Sequence, residues 1–148
     1  MLKETLKNLI IRDLEKLKQE IAAYQSEEKI WYIEKNISNS AGNLCLHLIG
    51  NLNTYIGAEY GNTGYVRNRE DEFALKNVPH AELIDKIEKT IIMIETTFNM
   101  MTEDQLNEKY PGEIVLKDAT TGYFFVHLAM HLGYHLGQIN YHRRLLDN

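Results

Sequence analysis

Cysteine is all but missing from this 148-residue chain, where Cys45 stands alone. One thiol cannot close an internal disulfide, which points to a reducing, cytoplasmic setting. Cys45 itself is expected to be a small core residue rather than a nucleophile. Proline occurs only at 79 and 111, so neither interrupts the long C-terminal pattern. Nowhere do 18 apolar residues run together, which excludes a membrane-spanning helix. The opening residues, Met1-Leu2-Lys3-Glu4-Thr5-Leu6-Lys7, mix charge signs and hold no apolar signal core. Basic density is also lacking. Sixteen Lys and Arg stand against 21 Asp and Glu, for a net charge of −5, and only Arg143 and Arg144 are adjacent. That is no electrostatic footprint for nucleic acid.

What is present fits one soluble domain with a real core: 44% hydrophobic and 25% charged residues over this length. Apolar residues recur at three and four from Leu2 to Tyr24, through Leu6, Leu9, Ile10, Leu14, Leu17 and Ile21. Ser26-Glu27-Glu28 marks a break or a fresh helical start, and Ile30 to Ile33 form an apolar cluster suited to covering one end of the core. Ser38-Asn39-Ser40 is an N-cap cluster, and a second helix is predicted from there to about Glu59. Tyr65 to Asn77 is charged and reads as a loop. A third helix follows Val78-Pro79, with proline in its favoured first turn, and ends near Met100. Thr102-Glu103-Asp104-Gln105 has capping-box spacing and opens a short turn closed by Pro111-Gly112. Ile114-Val115-Leu116 is an extended stub, and Asp118 or Thr120 caps a last helix that runs to about Leu146. Four substantial helices and weak strand signals predict an all-α four-helix bundle.

The chemistry concentrates in the last helix. His127, His131 and His135 recur at intervals of four, and residues four apart lie one above the other on a helix face. Each step drifts by about 40°, so His127 and His135 sit about 80° apart with His131 between them. On the opposite face Ala129, Gly133 and Gly137 repeat at four. Glycine costs about 1 kcal/mol relative to alanine inside a helix, so these positions predict close approach of another helix, within the subunit or across a dimer.

A further histidine, His47, falls in the middle of the otherwise apolar stripe Leu44, Leu48, Asn51, Leu52 and Tyr55. It is either a satisfied core imidazole or a ligand. Together, His47, His131 and His135 make a candidate metal set. Imidazole suits zinc, nickel, iron or copper. Three protein ligands with one position left over is the catalytic zinc arrangement. A di-iron carboxylate site is disfavoured, because no Glu-x-x-His pair occurs on the helices. The zinc-protease motif fails too, since 128 and 132 are leucines. His127 is a candidate fourth ligand, general base or core residue, with a place near the metal favoured over direct ligation; Tyr134 is a candidate hydroxyl donor, and Gln138 a residue that orients a ligand. His142 lies about 10 Å beyond His135 along the axis, too far to join. Arg67 and Arg69 are candidates for receiving an anionic substrate, against the bland alternative of a solvated loop.

The order of these pieces resembles the DinB-like superfamily of metal-dependent bundle proteins. The resemblance rests on His47 in the second helix, His131-Leu132-Gly133-Tyr134-His135-Leu136-Gly137-Gln138 in the last, then Ile139 and Arg143-Arg144. Arg67-Asn68-Arg69-Glu70-Asp71-Glu72-Phe73 is similar to a loop of one branch of it. The likeness implies up-down-down-up topology, a divalent metal on three histidines and frequent dimerisation. Zinc or nickel is the first choice of metal, iron or manganese the next. Relatives of that kind include thiol-dependent transferases and isomerases acting with a low-molecular-weight thiol on a small-molecule substrate. Two functions stay open from the residues alone: a metal-dependent transferase or hydrolase, and a non-catalytic metal-binding or partner-binding bundle. Haem held between facing histidines is a third, weaker possibility.

Overall fold

In the computed structural model, which describes residues 1–148, the chain is all-helical; an isolated bridge between Lys109 and Thr120 is its one β feature. Helix α1 spans Leu2–Ala23 and buries Leu6, Ile10, Leu14, Leu17 and Ile21, whereas Leu9 is 40% exposed and does not belong to that face. Its first amides are satisfied from far along the chain. The Glu103 carboxylate accepts from Leu2 N at 2.8 Å and Lys3 N at 3.2 Å, at the end where an anion is favoured. The break after Tyr24 leads into a one-turn helix, α2 (Glu27–Ile30). Of the apolar cluster beyond it, Ile30 and Trp31 are buried and cover the core, while Tyr32 and Ile33 face solvent.

Helix α3 (Ala41–Leu52) starts at Ser40, whose hydroxyl accepts from Asn43 N at 3.1 Å. All twelve of its residues are buried, so α3 is a central helix rather than a half-exposed one. It continues as a π-helical segment, Asn53–Ala58, in which the Asn53 amide donates to the Ile49 carbonyl at 2.8 Å. The charged stretch expected to be a loop contains a helix, α4 (Arg69–Ala74). Asn68 caps it by accepting from Asp71 N at 3.1 Å, and three acids fill its first turn. Helix α5 runs His80–Met100. Thr102 and Gln105 then exchange side-chain to backbone hydrogen bonds in the expected reciprocal box, opening a 3-10 turn. Thr120, not Asp118, caps the last helix, α6 (Thr121–Leu146), accepting from Tyr123 N at 3.1 Å.

Helix α1 packs on α5 and α6, and α3 packs on α4, α5 and α6. Every long helix contributes to one continuous apolar core. The close approach expected at Gly133 and Gly137 is not made within the chain. A Cβ on Gly137 would meet nothing within 4 Å, and one on Gly133 only Asp13 Oδ2 at 3.7 Å. Close neighbours sit instead on other glycines: in α3, Gly42 lies against the Trp31 ring and Gly50 against Glu72, and at the start of α6, Gly122 lies against the Leu106 carbonyl. No helix is long and apolar enough to cross a membrane.

Candidate metal centre

The packing of α3 on α6 brings three imidazoles together. His47 comes from the buried helix, and His131 and His135 come from successive turns of α6. Their rings meet edge to face, with centroids 5.0 Å apart for His47–His131, 5.5 Å for His47–His135 and 4.5 Å for His131–His135. One ring nitrogen from each lies within 4.8 Å of the others, close enough to share an ion.

Hydrogen bonds fix how two of the rings face this point. His47 Nδ1 is 3.0 Å from Glu72 Oε1, and a carboxylate only accepts. Arg67 Nη2 also lies 3.4 Å from Nδ1, but the carboxylate is the nearer partner, so the geometry favours the proton on Nδ1 and the lone pair on Nε2, which is 3.2 Å from His131 Nε2. His135 Nδ1 likewise donates to Gln138 Oε1 at 2.6 Å, freeing its Nε2 as an acceptor. His131 Nδ1 is buried and has no partner. Burial pushes the His131 ring down to about 4, with His135 and His47 adding repulsion. Burial also holds His47 below the ordinary histidine value, outweighing the opposing pull of Glu72. Burial favours the neutral form of His47 and His131, and three ring nitrogens gathered into one small volume are the arrangement a divalent cation needs. The donor set fits a metal.

Glu72 is the site residue that sequence reasoning missed. It is 5% exposed on α4, and Arg67 holds both its oxygens, Nε to Oε2 at 2.8 Å and an Nη2 donor to Oε1 at 3.0 Å. Burial works against the Arg67 charge, but the Glu72 hydrogen bonds and charge prevail and raise its pKa. In sequence Glu72 is one acid among Glu70, Asp71 and Glu72; an Asn ahead of three acids is the N-cap pattern by which such a segment can be read as a helix with an inward face. The structure thus gives Arg67 an intramolecular partner. Arg69 is exposed with its guanidinium 5.3 Å from the Phe73 ring, and that ring lies 5.0 Å from His47.

The remaining candidates lie around this cluster. His127 is exposed, stacked on Phe124 at 6.2 Å, and outside the three-ring group. Tyr134 is 66% exposed with its ring 5.3 Å from His135. His142 is engaged elsewhere, between the Tyr24 hydroxyl at 2.7 Å and the Tyr32 carbonyl at 2.8 Å. Cys45 is fully buried and its thiol is pushed up to about 12, which suits a core residue. Beside His135 and Gln138 opens a cavity of about 620 Å³, walled by Ile37, Leu44, Tyr134 and Tyr141 with Glu34 and Lys35 at its margin.

The fold and the cluster together define an all-helical protein with a histidine group able to hold a metal ion. Residues 2–148 match the family described as "Protein of unknown function (DUF1572)", and the chain belongs to that family. No curated protein matches it, and no solved structure does.

Proposed function

We propose that this protein is a DinB-like four-helix bundle of up-down-down-up topology, and a metal-dependent enzyme that activates water or a low-molecular-weight thiol for attack on a small molecule. His47, His131 and His135 are the proposed ligands, with zinc or nickel as the first choice of metal and iron or manganese as the next. The convergence of their ring nitrogens within 4.8 Å carries this proposal. A divalent ion there would lower the pKa of a bound water or thiol and supply a nucleophile at neutral pH. Gln138 would hold the His135 ring in place, and the adjoining cavity would seat the substrate, with Tyr134 at its wall; exposed His127, one turn before His131, is the candidate base. Arg69, exposed beside the site, is the better of the two arginines for an anionic group, since Arg67 is occupied by Glu72. The second reading is a bundle that binds metal without turnover. It is favoured by the absence of any carboxylate among the three-residue group and by the commitment of Glu72 to Arg67 and His47.

The proposal extends to a homodimer through α6. Tyr123, Met130, Tyr134, Tyr141 and Leu145 are each 63–70% exposed and, at 100° per residue, fall within an arc of about 60° with Gly137 at its edge. At about 100–150 Å² apiece they offer about 500–750 Å² of largely apolar surface, close to the ~800 Å² per partner of a specific interface. A second copy is the occupant such an area fits.

Metal content tests the centre. Protein purified without chelator or nickel resin is expected to carry about one divalent ion per chain, and a His47→Ala/His131→Ala variant of unchanged helicity to carry none. Wild-type protein that takes up no zinc, nickel or manganese would remove the basis of the proposal. Thiol-dependent turnover of an electrophile, lost in the variant, separates the enzyme from the silent binder.

A further inference from the structure

The buried carboxylate of Glu72 is too costly a group to be incidental. A charge removed from water needs partners for its oxygens, and this one has three directed donors: Arg67 Nε, the Arg67 Nη2 group and His47 Nδ1. The surrounding chain is shaped to admit it. Gly50 lies on α3 one turn after His47 on nearly the same face, and a Cβ there would overlap Glu72 Oε2. The backbone of α4 is tied down at the same level. The Asn43 amide donates to the carbonyls of Glu72 at 2.9 Å and Leu75 at 2.8 Å, and Asn43 is itself buried and held by Ser40. A capped one-and-a-half-turn helix, a gap left by a glycine and a bidentate arginine all converge on a single carboxylate beside one imidazole.

We infer that Glu72 is a positioning residue for His47: its carboxylate holds the ring as the Nδ1–H tautomer, so that Nε2 faces His131 and His135, and Arg67 balances the charge this requires. The inference rests on the metal reading for its consequence and on hydrogen-bond geometry for its content. Such carboxylate–imidazole pairs orient a ligand and raise its basicity, and their loss costs about 10–100-fold in metal affinity. His135 has a neutral counterpart in Gln138 and His131 has none, so His47 is the ring whose donor strength the protein controls most firmly. Arg67 then serves the carboxylate rather than a substrate.

The test uses the full chain with two readouts. The first is the tautomer of His47 in metal-free protein, read from ¹⁵N–¹H correlations of the imidazole nitrogens. The second is zinc affinity by competition with a chromophoric chelator. Wild type is expected to show His47 as Nδ1–H. Glu72→Gln, which keeps an acceptor oxygen, should retain that tautomer and bind zinc within about threefold of wild type. Glu72→Ala should lose the fixed tautomer and bind zinc ~10–100-fold more weakly. Because Glu72→Ala strands a half-buried guanidinium, Arg67→Ala/Glu72→Ala is made alongside it and is expected to behave the same way with its helicity intact. A folded double variant with the wild-type tautomer and wild-type zinc affinity would overturn the inference. If no variant, wild type included, binds metal, the proposed function fails, while the tautomer comparison still decides what Glu72 does.

Discussion

Gly50 carries more of the site than its missing side chain suggests. In the middle of a helix, glycine to alanine ordinarily gains about 1 kcal/mol, and α3 offers no turn or positive φ that would require glycine there. The obstacle is Glu72, whose carboxylate occupies the space a Cβ would take. Gly50→Ala is therefore expected to destabilise, by about 1–3 kcal/mol from overpacking, and to push the carboxylate off His47. Urea unfolding of both proteins measures this. A variant more stable than wild type would mean that the carboxylate is not seated against α3. At this scale the sequence was legible where a residue type announces its chemistry, as with three histidines in helical register. It was opaque where identity depends on the neighbour. Neither the position of Gly50 in its helix nor the run Glu70-Asp71-Glu72 tells which acid turns inward, because that depends on where α4 docks.

Among the elements, α1, α5 and α6 could be traced from apolar spacing and caps, since a helix of three turns or more repeats its pattern often enough to be read. Helix α4 has six residues, one of them buried, and the π-helical segment after α3 carries no periodic signature at all. The glycines of α6 announced a close neighbour, but within the chain none is seated on Gly137. The far end of α6 shows how elements are fastened by polar groups. His142 is buried between the Tyr24 hydroxyl at the end of α1 and the Tyr32 carbonyl, and burial holds it below the usual histidine value despite the opposing effect of the Tyr32 hydrogen bond. The unfolded chain takes up this proton near pH ~6.5, and the folded chain only at lower pH. The contribution of His142 to stability is therefore complete above about pH 6.5 and declines as the solution is acidified towards its folded-state value. His47 and His131 have the same sign, so the comparison must be with a variant. His142→Gln is expected to flatten the fall in urea midpoint between about pH 7 and about pH 5, and an unchanged slope would show that His142 titrates normally in the folded protein.

For the whole molecule the open question is what lies against the outer face of α6. The histidines and the exposed stripe share this helix, about 100° apart at its middle, and Tyr134, Tyr141 and Leu145 belong both to the stripe and to the cavity beside His135. A partner seated on the stripe would then also wall that cavity, so assembly and substrate access would be linked. Wild-type protein is expected to be a dimer at micromolar concentration by light scattering. Met130→Glu/Tyr141→Glu places two carboxylates in the apolar stripe without altering a proposed metal ligand, and is expected to give a monomer of unchanged helicity, because an unpaired charge in a desolvated interface is strongly unfavourable. That monomer should still bind one zinc ion, since all three proposed ligands come from one chain. If wild type is monomeric at this concentration, the stripe is not a self-association surface. If the charged variant remains dimeric, the copies meet through another face, and the polar groove between α1 and α6, where Gly133 and Gly137 face Arg12, Asp13, Lys16 and Glu20, is then the next place to block with a bulky side chain.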